Sequence, residues 1–274
     1  MIETKDQKTA DAFATSWNNL PAGSVYTQEQ FAEWMAPLTQ KDFENKTVLE
    51  LGCGNGSLLF HAASYRPSFL TGIDLGDSVI TCRSNMERTG FKNFEVVQHD
   101  LTTYNRNEGF DIVYCIGVLH HLKNPLDGLT SVVRNTKAGG RFHCWVYAKE
   151  GNAVIRYIVD PIRKISSRLP WWFTKYFIAT PLTVPYFFYA HIVSRSTFFK
   201  NFPLYDYSKW ITKRSFSFFR HVAFDQLVTP QTAYISKEMI QKWLNGFKEI
   251  DPVSSYIIFR NGNSWKFGGT KKSI

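Results

Sequence analysis

The sequence predicts an α/β fold: a doubly wound, mostly parallel seven-stranded sheet with an N-terminal helical segment and a helical insert. Three observations carry this. Short apolar runs alternate with amphipathic helical stretches from Thr47 to Ala148. A turn with three alternating glycines, at 52, 54 and 56, stands between the first such run and the helix after it. The alternation then stops for about seventy residues and resumes as one helix and two strands. Strand–helix repetition of this kind builds parallel sheets with right-handed crossovers.

The elements follow in order. Residues 8–39 read as two short helices joined at Pro21-Ala22-Gly23, with Phe13, Trp17 and Leu20 on one face and Phe31, Trp34 and Met35 on another. Thr47–Leu51 is a buried strand and Ser57–Tyr65 the helix after it. Phe69–Ile73 is a second strand ending at Asp74, and the next helix starts near Asp77 or Ser78 and stops at Gly90. Phe94–Val97 is a third strand, running into His99-Asp100. Phe110–Ile116 is apolar almost throughout, as the middle of a parallel sheet requires. Asn124 caps and Pro125 opens a helix with Leu126, Leu129 and Val133 inside. Gly139-Gly140 is expected to end that unit before a fifth strand, Arg141–Ala148. A helix capped by Ser236 (Lys237–Gly246) precedes strands at Tyr256–Phe259 and Ser264–Phe267, joined by the hairpin turn Asn261-Gly262-Asn263. The chain thus divides into 1–148, the helices and the ligand-binding half; 149–225, an aromatic, basic insert; and 226–274, the end of the main domain.

Composition narrows the classes. Four widely spaced cysteines without a CxxC pair exclude a disulfide framework or zinc cluster as the organising device and suit a reduced, cytoplasmic setting. No metal site is expected. The polar start Met1-Ile2-Glu3-Thr4-Lys5-Asp6 is unlike a signal peptide. The net charge of +9 is concentrated: residues 151–225 hold eleven Lys/Arg against three Asp/Glu, and the rest twenty-one against twenty.

Glycines at 52, 54 and 56 let the backbone turn sharply and approach a ligand, with Cys53 and Asn55 between them. The spacing is G-x-G-x-G, with Ser57 where the dinucleotide fingerprint places its third glycine, which makes a nicotinamide or flavin enzyme the lesser reading. Asp74, eighteen residues beyond Gly56, can accept hydrogen bonds from both hydroxyls of a ribose. Asp100 can reach an adenine amino group, and Leu75 and Leu101 follow the two acids. All sit at C-terminal strand ends, where open α/β sheets bind ligands.

Val48-Leu49-Glu50-Leu51-Gly52-Cys53-Gly54-Asn55-Gly56 resembles motif I of the class I S-adenosylmethionine-dependent methyltransferases, which have a Rossmann-like sheet. Gly72-Ile73-Asp74-Leu75 resembles their ribose-binding strand end, and His99-Asp100-Leu101 their adenine-binding one. Phe110-Asp111-Ile112-Val113-Tyr114-Cys115-Ile116-Gly117-Val118-Leu119-His120-His121 is similar to the fourth strand of the small-molecule branch. Lys137-Ala138-Gly139-Gly140 stands where that branch has L-x-P-G-G, with Ala138 in place of proline. The resemblance covers roughly residues 10–150 and 236–270. It implies that S-adenosyl-L-methionine binds, with S-adenosyl-L-homocysteine as product, that Glu50, Asp74 and Asp100 hold its polar groups, and that backbone near Ile116 and Gly117 faces its methionyl end.

The acceptor is less constrained. His120 and His121 follow the fourth strand at the rim of the expected site, where a histidine can act as general base, stack on the cofactor or cap a helix. Trp17, Tyr26 and Tyr147 are candidate acceptor contacts. The fourth strand ends in Cys-Ile-Gly, not the Asp/Asn-Pro-Pro-Tyr of nucleic-acid amino methylation. The insert holds Trp171-Trp172-Phe173, Tyr186-Phe187-Phe188-Tyr189, Phe198-Phe199 and Phe216-Ser217-Phe218-Phe219 among basic residues. Lys175, Pro181, Pro185 and His191 argue against a transmembrane span through it. The expectation is a helical cap over a small or lipid-like hydrophobic acceptor methylated at oxygen or nitrogen, in peripheral contact with anionic membrane. An RNA methyltransferase using the basic insert, and a cofactor-binding scaffold without turnover, are the alternatives.

Overall fold

The computed structural model describes residues 7, 9–12 and 25–273. The proposed contact Trp17, and the helix face built on Phe13 and Leu20, lie outside the described residues. The chain runs α1 (Gln28–Met35), α2 (Gln40–Phe43), β1 (Thr47–Leu51), α3 (Leu59–Ala63), β2 (Phe69–Asp74), α4 (Ser78–Arg88), β3 (Phe94–Gln98) and β4 (Phe110–Ile116). A 3-10 turn (Leu119–His121), α5 (Pro125–Asn135) and β5 (Thr136–Tyr147) follow.

After β5 the chain is helical: a π-turn (Ile155–Val159) running into α6 (Asp160–Ser166), α7 (Trp171–Phe173) continuing through a second π-turn (Thr174–Ala179) into α8 (Thr180–Val193), then α9 (Tyr205–Ile211) and α10 (Phe216–Val228). It closes with α11 (Lys237–Gly246), β6 (Tyr256–Arg260) and β7 (Ser264–Thr270).

The seven strands form one sheet in the order β3-β2-β1-β4-β5-β7-β6. β1 to β5 are parallel, and β7 inserts antiparallel between β5 and β6. The order reverses at β1/β4, so the crevice at the strand ends lies beside the glycine turn. Alternation along β4 serves two cores: Val113 and Cys115 join the cluster under α5 and α11, while Ile112 and Tyr114 join the one under α1, α3 and α4. Both faces are covered, which is why β1 and β4 read as continuous apolar runs.

Two sequence expectations shift. Gly139-Gly140 does not end the helical unit; both glycines lie inside β5, where the pairing jumps from Phe110↔Thr136 to Ile112↔Arg141. Gly139 takes φ +74°, and a Cβ on Gly140 would lie 3.0 Å from the carbonyl oxygens of Phe110 and Asp111, so the bulge needs glycine there. The helix expected over Ser57–Tyr65 is shorter, with Ser57 bonded instead to the Asn55 side chain. The final hairpin turns through Asn261 and Gly262 at φ 50° and 68°, both positive as its tight turn demands.

No helix among the described residues is long and apolar enough to cross a membrane. Pro181 stands where the second π-turn passes into α8, and Pro185 lies inside that helix. All four cysteines are buried free thiols.

Candidate active site

The ends of β1, β2 and β4 and the helices after β5 enclose a single cavity of about 490 Å³. At the sheet end the glycine turn forms its floor. Gly52, Gly54 and Gly56 take φ +82°, +51° and +80°. A Cβ on Gly52 would lie 2.3 Å from Val118, whereas one on Gly54 would meet nothing within 4 Å. The first glycine is therefore demanded by packing, and the second by its backbone angle, leaving the turn open above it.

Asp74 ties this turn to β2. Its carboxylate accepts from the Gly54 amide at 2.8 Å, the Gly76 amide at 2.9 Å and the Ser78 hydroxyl at 3.2 Å. Burial raises its pKa above the usual carboxylate range against the pull of those bonds. Glu50, on β1, is buried and accepts from the Tyr114 hydroxyl at 3.0 Å. Burial pushes its pKa well up, the Tyr114 bond opposes this, and the Asp74 charge adds to it. Asp100 accepts from the amide and hydroxyl of Thr102 at 2.8 and 2.7 Å.

Among the described residues four carboxylates line the cavity, those of Glu50, Asp74, Asp100 and Asp225. Among the described lining residues the sole Lys or Arg is Arg260, which is paired with Glu33 at 2.8 Å. A chain of net charge +9 thus holds an acidic cavity. A pyrophosphate would meet buried carboxylates there with no cation to spare. A sulfonium and an ammonium, with ribose hydroxyls and an adenine, match the donors and charges present. The residues fit S-adenosylmethionine.

Of the residues singled out from sequence, Glu50, Gly52, Cys53, Gly54, Asn55, Asp74, Leu75, Asp100, Leu101, Ile116 and Gly117 all line this cavity, as do Tyr26, Tyr147 and His121. Gly56 does not; its role is steric, since a Cβ there would lie 2.6 Å from the Cys82 sulfur. His120 does not either. It is fully buried behind the wall, its ring 4.1 Å from His121, 4.3 Å from Tyr147 and 5.8 Å from Trp145. Burial drives its pKa well below the ordinary histidine value. A general base must reach its proton, so this geometry removes His120 from that role. His121 reaches the cavity, but its Nδ1 is bonded to the Gln231 carbonyl at 2.9 Å and burial lowers its pKa to about 4.

The far end of the cavity joins Tyr186, Phe218 and Phe219 of the expected aromatic cap to residues that sequence reasoning did not select. Ile155, Ile158 and Ile162 before and on α6, Leu182 and Tyr186 on α8, Tyr207 and Trp210 on α9, and Phe218, Phe219, His221 and Asp225 on α10 all face it. His221 and Asp225 pair at 3.2 Å across one turn of α10. Their i, i+4 spacing was the one signal available.

Residues 42–156 match a family profile described as a methyltransferase domain. A tRNA U34 carboxymethyltransferase of Desulfotalea psychrophila (strain LSv54 / DSM 12343) is 31% identical over 104 residues, 36% of this chain and 32% of its own. A ubiquinone biosynthesis O-methyltransferase of Hydrogenovibrio crunogenus (strain DSM 25203 / XCL-2) is 31% identical over 109 residues, 39% of this chain and 43% of its own. The chain spans less than half the length of the curated relatives it matches. The crystal structure of the N-methyltransferase NodS from Bradyrhizobium japonicum WM9 with S-adenosylhomocysteine superposes with a TM-score of 0.53 at 12% identity, over 95% of this chain and 98% of that one. That likeness extends the shared fold across nearly the whole chain. The sheet order and the glycine turn agree with the family match: residues 42–156 carry a methyltransferase domain, on a Rossmann-like sheet.

Proposed function

We propose that the protein transfers the methyl group of S-adenosylmethionine to an oxygen or nitrogen of a small or lipid-like hydrophobic acceptor. The observation that carries this is the continuity of one cavity from the glycine turn to a wall of aliphatic and aromatic side chains. When bound, the cofactor supplies an electrophilic methyl group. The chain aligns and shelters it: Glu50, Asp74 and Asp100 hold the polar groups, Ile116, Gly117 and Trp145 bound the space beyond them, and the helices after β5 exclude water. Tyr26 and Tyr147 stand between the two halves as acceptor contacts.

Peripheral contact with anionic membrane fits the outer face of the same helices. Tyr157, Trp172, Phe177, Phe188 and Phe198 are exposed, amid the segment's surplus of eight positive charges (eleven Lys/Arg less three Asp/Glu). Ile158 and Leu182 are 56% and 39% exposed and also line the cavity, so its apolar wall reaches this face. An acceptor dissolved in a bilayer would enter there.

RNA methylation is the second reading, favoured by the basic segment and by relatives named tRNA U34 carboxymethyltransferases. The acidic cavity, where Arg260, the one arginine among the described lining residues, is already paired, weighs against a phosphate-bearing acceptor. Labelled methyl transfer into fractionated extract tests the ranking. Label in the lipid or apolar small-molecule fraction is expected. Label in RNA alone overturns the acceptor class, and none anywhere despite cofactor binding leaves a scaffold.

A further inference from the structure

Tyr147 stands in the cavity wall at the end of β5, and the residues behind it fix the direction of its hydrogen bonds. The network starts at Arg163 on α6, which is 4% exposed. Its guanidinium is neutralised by Asp160 at 2.8 Å and donates to the Tyr234 hydroxyl at 3.2 Å. It also donates twice to Gln226 on α10, to the backbone carbonyl at 2.5 Å and to the side-chain Oε1 at 2.7 Å. Arginine carries donors alone, so this fork decides which way the Gln226 amide points. The amide nitrogen then faces Tyr147 and donates to the hydroxyl oxygen at 2.6 Å.

An amide nitrogen cannot accept, so the Tyr147 proton must be given elsewhere. Among the described residues no acceptor meets it. The ring is packed 4.3 Å from that of His120, 5.2 Å from Trp145 and 6.3 Å from Tyr234, which holds the hydroxyl in place. Tyr147, Gln226 and Tyr234 line the cavity, whereas Arg163 and Asp160 do not.

We propose that Tyr147 donates this hydrogen bond to an uncharged oxygen of the acceptor, a carbonyl, ether or hydroxyl, with Gln226 and Arg163 as its positioning residues. This rests on the methyl-transfer reading above and adds a requirement to it: an apolar body carrying an accepting oxygen on the side that faces β5. A charged oxygen fits less well. Burial and then the Asp225 charge raise the Tyr147 pKa, so the hydroxyl stays protonated and the same field opposes a second anion beside it. The Arg163 charge is already matched by Asp160. A pure hydrocarbon fits less well too, because it leaves a buried donor without a partner.

The test uses the full chain saturated with S-adenosylhomocysteine and two neutral probes of similar shape, 1-tetralone and tetralin. By calorimetry the ketone should bind about tenfold more tightly than the hydrocarbon. Its isotope-labelled carbonyl stretch, read by infrared difference spectroscopy, should lie lower in the protein than in an apolar solvent. Tyr147→Phe should abolish both the preference and the shift. Gln226→Glu separates orientation from packing. Its carboxylate still meets Arg163 but accepts the Tyr147 proton, so preference and shift should vanish with every ring in place. Equal binding of the two probes by wild type, no binding of the ketone, or a preference that survives either substitution overturns the assignment. The methyl-transfer reading fails separately, if labelled S-adenosylmethionine gives no product from extract, an outcome on which the ketone titration does not depend.

Discussion

The two halves of the cavity are built on different principles. The sheet half is made of backbone and carboxylates: a turn at positive φ, two amides donated to Asp74, and three acids within one hundred residues of sequence. The half formed by the helices after β5 is made of bulk: Tyr186, Tyr207, Trp210, Phe218 and Phe219, drawn from three helices. Strand ends fix atoms to fractions of an ångström and suit a ligand that never changes. Aromatic walls set volume and polarity, and can be rebuilt for a new acceptor without disturbing the sheet.

Breaking the sheet half should cost most. Gly52→Ala places a Cβ 2.3 Å from Val118 at φ +82°, so S-adenosylhomocysteine binding by calorimetry should fall by more than about a hundredfold. Retained affinity would mean that the turn is not the cofactor's seat. Asp74→Ala removes the acceptor of two amides and the expected ribose ligand; a loss of roughly 1–3 kcal/mol in the same titration is expected.

Glu50 sharpens the contrast, because its carboxylate is buried near the Asp74 charge and accepts from the Tyr114 hydroxyl. Its folded-state pKa lies above the unfolded value, so its stabilising contribution is present at low pH and is lost as pH rises through the raised value. Glu50→Gln should accordingly raise the apo protein's thermal midpoint at neutral pH while weakening cofactor binding. If binding draws Glu50 and Asp74 into their ionised forms, wild-type affinity should fall on acidification. The buried histidines act in the opposite sense. His121 and His143 are lowered to about 4 and about 3, so their contribution is present above about 6.5 and is lost as pH falls toward those values. Thermal melts from pH 7 to 4 should show that decline.

The smallest effect concerns the hinge between the halves. Tyr147→Phe leaves the Gln226 amide without its acceptor, which should cost about 1 kcal/mol of stability and slow transfer, with S-adenosylhomocysteine affinity unmoved.

Legibility from sequence follows the same division. The glycine turn, Glu50, Asp74 and Asp100 are local: each sits at a strand end that apolar patterning locates, and all but Gly56 line the cavity. The bulge at Gly139-Gly140 was misplaced because a glycine pair marks a helix end and a strand irregularity alike. His120 and His121 read alike in the sequence, yet a 3-10 turn places His121 on the cavity and His120 behind its wall. The His221–Asp225 pair is hidden in the sequence because aromatics around it dominate the pattern, and only the packing of α10 against α6 and α8 sets which of its faces lines the cavity.

The division itself is open to one direct measurement. A neutral apolar fluorophore, N-phenyl-1-naphthylamine, should bind one site per chain in the aromatic half and brighten there. Titrated with S-adenosylhomocysteine to saturation, the protein should keep the fluorophore bound, because the two ligands fill different ends of one cavity. Stoichiometric displacement of the fluorophore by S-adenosylhomocysteine would contradict the account, for then both would claim the same space and no acceptor chamber would remain.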